Sequence, residues 1–272
     1  MNELKDIIET VKLAVYSGYV EGVRPVSLLI TAPVGAGKTE ITKKFQTVKG
    51  LAFLTDTTAF GITRSLLPEL KSGMIKHIII PDLITPLSKQ RYTVTSLIAF
   101  LNALIEEGVV QIQSYAVSFK EENIRCGLIS TMAREDLFDK RHGWSKIGFM
   151  SRMLPVSYEY SQRTVIDILK KIASGRLYDD NCIELRLPPR LVKIKGDEKL
   201  FNELIPYTLQ LQEAEKVYGF RRQKQLSTLM MANRLNRAIE NDEDLSNLKV
   251  EQEDFDRIIK LLDHINLDYK KI

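Results

Sequence analysis

Residues 28–39 read Leu-Leu-Ile-Thr-Ala-Pro-Val-Gly-Ala-Gly-Lys-Thr. An apolar run breaks into small residues and ends in Gly37-Lys38-Thr39, and the helix-compatible stretch Glu40 to Phe45 follows at once. A strand, a glycine-rich loop and a helix in that order make a phosphate-binding loop. Backbone N–H groups of the loop and of the helix start face the β-phosphate of a nucleotide. Lys38 reaches the β- and γ-phosphates and the Thr39 hydroxyl holds Mg²⁺. The nucleotide-binding residues are therefore expected to be Pro33, Val34, Gly35, Ala36, Gly37, Lys38, Thr39 and Glu40, with ATP and Mg²⁺ as the cofactors. Ala32 stands where such loops usually place their first glycine. It needs a backbone angle that tolerates a Cβ.

The chain has 272 residues, enough for one large domain or two modest ones. It is 44% hydrophobic and 27% charged, as a globular protein with a sizeable core would be. No apolar run approaches the roughly 20 residues of a membrane span. The start, Met1-Asn2-Glu3-Leu4-Lys5, has no signal-peptide apolar region, so a cytoplasmic location is expected. Cys126 and Cys182 both lie in apolar, strand-like surroundings and read as buried free thiols. Three scattered histidines and two cysteines make no metal cluster of known spacing. A net charge of +4 permits contact with nucleic acid without arguing for it.

Periodicity gives the rest of the layout. Residues 2–16 carry a helical stripe of Leu4, Ile7, Ile8, Val11 and Val15. Residues 51–54 form a short strand and 62–72 a helix. His77-Ile78-Ile79-Ile80 is a continuous apolar run that suits a central parallel strand. Residues 93–107 form a long helix stopped by Gly108. Residues 109–119 look like one arm of a hairpin, with Ser118, Lys120, Glu121 and Glu122 near its tip. Residues 124–131 form a further strand. Strands alternating with helices predict an α/β fold with a parallel sheet flanked by helices. Beyond about residue 158, residues 161–174, 198–217, 221–240 and 251–267 are helical, and 183–195 are strand-like but broken by Pro188-Pro189. The expected division is a P-loop core over 1–158 and a mostly helical lid over 159–272.

Several positions carry chemistry. Asp82 follows a buried strand, where P-loop NTPases place the carboxylate that orders Mg²⁺. Leu83 stands where many such proteins have the Glu that orients attacking water, so the base has to come from elsewhere or hydrolysis is slow. Glu107 and Asp56 are the candidates. Thr131, read as ending its strand, is placed to meet the γ-phosphate or the water. Ser151-Arg152 supplies the best arginine finger, with Arg134 and Arg141 as alternatives. Arg221-Arg222 start a helix, where their charge opposes the macrodipole, and one of them is expected to fold over the phosphates.

These residues together resemble an AAA+ ATPase. The likeness rests on Ala32 to Thr39, Asp82, Thr131, Ser151-Arg152, and Gly219-Phe220-Arg221-Arg222 followed by Leu226, Leu229 and Ala232. Val250 to Phe255 is similar to the Val-x-x-x-Asp start of the last lid helix in these proteins. The stretch Leu101 to Thr131, with its hairpin before the strand of Thr131, looks closest to the branch of minichromosome maintenance helicases and MoxR-type ATPases. The resemblance implies a homo-oligomeric ring, a hexamer, that binds ATP between subunits, with Lys38, Thr39 and Asp82 from one protomer and Arg152 from the next. It implies a client, with DNA ahead of a protein. The alternatives are a nucleotide-gated switch that hydrolyses slowly or not at all, and a MoxR-like chaperone.

Overall fold

The chain places β1 (Leu28–Ala32), β2 (Leu51–Phe53) and β3 (His77–Ile80), then a hairpin of β4 (Val110–Gln113) and β5 (Ser118–Glu121), then β6 (Gly127–Ala133) and β7 (Leu154–Ser157). This is a computed structural model, and it describes residues 2–113, 118–146, 148–175, 182–216 and 218–266. β1, β2, β3, β6 and β7 form one all-parallel sheet in the order β2-β3-β6-β1-β7. β6 is thus inserted between β1 and β3, and Ala32 lies level with Ala133.

The helices are α1 (Asn2–Ser17), α2 (Lys38–Lys43), α3 (Ala59–Ser72), α4 (Ile84–Leu87), α5 (Arg91–Asn102), α6 (Arg134–Lys146), α7 (Phe149–Arg152) and α8 (Gln162–Ala173). α9 (Glu198–Glu203), α10 (Ile205–Glu215), α11 (Phe220–Glu240) and α12 (Gln252–Leu261) follow. A two-residue parallel ladder joins β8 (Ile194–Lys195) to β9 (Leu248–Lys249).

The central strands are mostly apolar because both faces of the sheet are covered there, and their few polar residues, such as Thr31, His77 and Thr131, are buried too. Alternate residues divide between two cores. Leu28, Ile30, Ile79, Ile129, Leu154 and Val156 face one core with α1, α11 and α12. Leu29, Ile78, Ile80, Leu128 and Met132 face the other with α3, α5 and α7. Each fully buried Leu or Ile contributes about 1.5–3 kcal/mol of transfer free energy. α11 threads the first core, burying Leu226, Leu229, Met230 and Leu235. The Val-x-x-x-Asp pattern has a physical basis here. Asp254 Oδ2 accepts from the Glu251 backbone N–H (2.9 Å) and Oδ1 from Asn233 Nδ2 (2.8 Å), which starts α12 with a capping box and ties it to α11.

Some expectations need correction. The strand expected over 124–131 runs from Gly127 to Ala133. The segment 198–217 is two helices broken at Leu204. Of the strand-like stretch 183–195, only Ile194–Lys195 enters a named strand, because Pro188-Pro189 deny the ladder two donors. Cys126 is buried but Cys182 is exposed. Ser118, Lys120 and Glu121 belong to β5, and residues 114–117 at the hairpin turn lie outside the described residues. Among the described residues, no helix is long and apolar enough to cross a membrane.

Candidate functional site

β1 ends at Ala32, which is fully buried in extended backbone, so the Cβ that replaces the expected glycine hydrogen costs no strain. Gly35 and Gly37 take φ of 77° and 75°, the left-handed region that favours glycine, and they bracket Ala36. That backbone curls into a concave loop ahead of α2. Lys38 Nζ donates back across it to the carbonyls of Ala32 (3.0 Å) and Pro33 (2.9 Å). Val34, Gly35, Gly37, Thr39 and Glu40 are exposed. Two tyrosines that the sequence reading missed brace the loop. Tyr158 and Tyr160 hydroxyls both donate to Ala36 O, at 2.8 and 2.9 Å. Their spacing of two, in extended chain just past β7, was the available signal, since it turns both rings to one side.

Burial pulls the Lys38 ammonium pKa down, and the carboxylates of Glu135, Asp82 and Asp136 pull it back up. Those three acids are thus near enough to Lys38 to act on its charge, with no ion pair to it among the described residues. Asp82 lies just past β3, two strand spacings or about 10 Å from β1. It is exposed, and its oxygens accept from Ile84 N (3.2 Å) and Thr85 Oγ1 (3.5 Å), so it also caps the turn into α4. Leu83 is fully buried in the second core and its N–H meets Thr131 O (2.9 Å), an apolar niche that suits no carboxylate. Thr131 is not the strand end. It is buried, and its hydroxyl donates to Pro81 O (2.5 Å). β6 instead delivers Arg134, Glu135 and Asp136 to this edge, in the first turn of α6. Glu135 and Asp136 were missed because the strand end was read two residues early. Arg134 stays near Lys38 and reaches Glu159 and the Tyr158 carbonyl, both at 3.5 Å. Asp56 sits three strand spacings from β1, about 14 Å, and pairs with Lys89 (2.8 Å).

The remaining candidates gather at the opposite edge, where the strands begin. α7 ends at Arg152, just ahead of β7. Arg152 donates to Gly148 O (2.8 Å), and burial, then the neighbouring Arg221, lower its pKa. Arg221 donates to Ser151 Oγ (3.1 Å) and its Nε lies 3.1 Å from Glu106 Oε1. Glu107 stands with Glu106 and Arg152 on this edge, not with Lys38 of the same chain. Arg222 requires a correction. It is only 2% exposed and bound on every side, so no face of it is open to a phosphate. Its guanidinium grips Glu215 (2.6–3.1 Å) and donates to Met153 O (2.9 Å), Ser151 O (3.3 Å) and Met150 O (3.3 Å). The side chain of Arg141, on α6, lies outside the described residues.

Fold and loop together define an α/β protein with a five-strand parallel sheet, helices on both faces and a C-terminal helical region. No protein-family model matches the chain, and no curated protein matches it.

Proposed function

We propose that this chain is an AAA+-type ATPase that works as a homo-oligomeric ring, a hexamer, with each nucleotide held between two copies. The observation that carries the reading is the division of the site. The left-handed glycine loop, Lys38 and Asp82 lie at one edge of the sheet, and Arg152 with Arg221 lies at the other. A single chain cannot apply both edges to one phosphate, but two copies can. Thr39 and Asp82 offer hard oxygen donors, the donor type Mg²⁺ takes. Lys38 and the backbone N–H groups from Gly35 to Thr39 would hold the β- and γ-phosphates. Arg152 of a neighbouring copy would neutralise charge on the transferred group. With Leu83 buried, the water-orienting base is assigned to Glu135 or Asp136, in place of Glu107 or Asp56. Arg221, half-exposed though paired with Glu106, is assigned as the second arginine to meet the nucleotide, ahead of the sealed Arg222.

DNA is the proposed client, on mild basicity and the hairpin ahead of β6. The charges near that hairpin pair among themselves, Lys71 with Glu121 (2.8 Å) and Lys120 with Glu122. This keeps a protein client, as for a MoxR-like chaperone, as the second reading. Leu83 favours a third, a nucleotide-gated switch with slow turnover. ATP hydrolysis by the wild type and by Lys38→Ala, with and without single-stranded and duplex DNA, tests all of these. DNA-stimulated turnover lost in the variant is the expected result. Tight ATP binding with negligible turnover under every condition would replace the motor with the switch. The absence of ATP binding would overturn the reading.

A further inference from the structure

α8 is the least supported helix of the molecule. Of its residues only Thr164 is buried, while Val165, Ile166, Leu169 and Ile172 are 40, 45, 57 and 48% exposed. The last two continue Val165 at helical spacing, which makes a continuous apolar stripe. An isolated helix of this length is marginal in water, so the stripe calls for a cover. A shallow groove lined mostly by polar residues lies elsewhere on the surface, beside two exposed apolar residues of α10. It runs past Asp197, Glu198, Asn202 and Glu203 to Pro206. Pro206 of the groove belongs to α10, on which Ile205 (44% exposed) and Leu209 (49% exposed) lie one helical turn apart. α8 is basic, with Arg163, Lys170 and Lys171 against Asp167, and the groove is mildly acidic, with Asp197, Glu198 and Glu203 against Lys199 and the Lys249 that pairs with Asp197 (2.8 Å).

We propose that copies of this chain join head to tail by seating the α8 stripe of one copy in the α9–α10 groove of the next. The placement of the two surfaces supports this pairing. α8 starts at its cap Ser161, next to Tyr160, which holds Ala36 of the phosphate loop. The groove helices are fixed to the start of α11 by Gln223 Nε2 to Phe201 O (2.6 Å) and Thr208 Oγ1 to Gln223 Oε1 (2.7 Å), beside Arg221 and Arg222. The stripe therefore marks the loop edge and the groove marks the arginine edge. Tyr218 and Phe220, stacked with centroids 5.5 Å apart and mostly exposed, extend the apolar surface toward the arginines. Complementary charge fixes the register of such a contact and speeds encounter. Two unlike patches make a heterologous interface, which closes as a ring or runs on as a filament. The inference rests on the assembly proposed above and names the surfaces that build it.

Mass measured by light scattering on the purified chain, with and without ATP and Mg²⁺, tests the pairing. The wild type should assemble. Leu169→Asp and Ile205→Asp should each be monomeric, with far-UV circular dichroism unchanged and ATP still bound, more weakly than by the assembled wild type. An equal mixture of the two should stop at two chains, because each supplies one intact patch and only one pairing survives. Lys170→Glu and Glu203→Lys should each weaken assembly about tenfold, and the two changes in one chain should restore it. If the wild type assembles and both apolar variants keep its mass, the docking assignment falls while the ring stands. A wild type that stays monomeric in every nucleotide also overturns it. In that case a lower melting temperature in Leu169→Asp would show that the chain covers its own stripe. ATP binding on the same samples, abolished by Lys38→Ala, reads the nucleotide site separately.

Discussion

At the edge where the strands end, the chain presents left-handed backbone, one ammonium and three carboxylates. At the edge where they begin, it presents guanidinium groups set against carbonyls and glutamates. The arginines there are of two kinds. Arg222 is sealed, with a bidentate carboxylate and several carbonyls, and acts as the bolt between α11 and α7. Arg152 and Arg221 are half-buried, stand close enough for Arg221 to lower the Arg152 pKa, and have Glu106 and Glu107 for company. Arg152 and Arg221 remain half-exposed even with Glu106 and Glu107 beside them, whereas Arg222 has no open face. The first edge is the one proposed to take a phosphate chain and its metal. The contrast teaches that two chemically unlike surfaces stand at opposite ends of one sheet, and the proposed assembly would bring them together between two copies.

The sharpest way to break the comparison is Arg152→Ala. Turnover should fall about 10³-fold or more, the worth of an arginine finger, with ATP affinity of the isolated chain unchanged. Unchanged turnover would reduce that edge to structure. Arg222→Ala should act the other way. It strands the buried Glu215 carboxylate, a loss of about 3–5 kcal/mol, so the urea midpoint drops. A normal midpoint with weakened ATP binding would put Arg222 back among the nucleotide ligands. Glu135→Gln or Asp136→Asn should lower turnover about 10²-fold with affinity retained, as loss of a general base does. The same loss in Glu107→Gln alone would return the base to the other edge.

The smallest effect concerns folding at the edge where β3 begins. His77 is fully buried there with Nε2 3.2 Å from Val26 O, and burial lowers its pKa from 6.5 to about 4. The unfolded chain takes up this proton first. Stability is therefore complete above about pH 6.5 and falls as pH drops toward 4, by up to about 1.4 kcal/mol per pH unit. Urea melts at pH 7 and pH 5 measure the slope, and His77→Gln should flatten it.

The loop and Asp82 were legible because their spacing is dictated locally: strand, two left-handed glycines, then Lys38-Thr39. The alternation of apolar strands with helices gave the parallel sheet for the same reason. The sequence left Arg221 and Arg222 equivalent because pattern cannot report burial, and Glu215, seven residues away on another helix, is what captures Arg222. Glu135 and Asp136 were missed through a boundary error of two residues, since Met132 and Ala133 extend β6 past Thr131. Glu107 looked available as a helix-end acid, but only the strand order reveals which edge it occupies. The sequence showed α8 only as a helix, and the exposure of its apolar stripe is a tertiary fact.

The most direct measurement of the divided site is complementation. Lys38→Ala and Arg152→Ala proteins are assayed for ATP hydrolysis alone and as an equal mixture. Each alone should be nearly silent, and the mixture should regain a substantial part of wild-type turnover, because one copy brings an intact loop and its neighbour an intact arginine. A mixture as silent as its components, while the wild type is active, would contradict a site shared between the two edges.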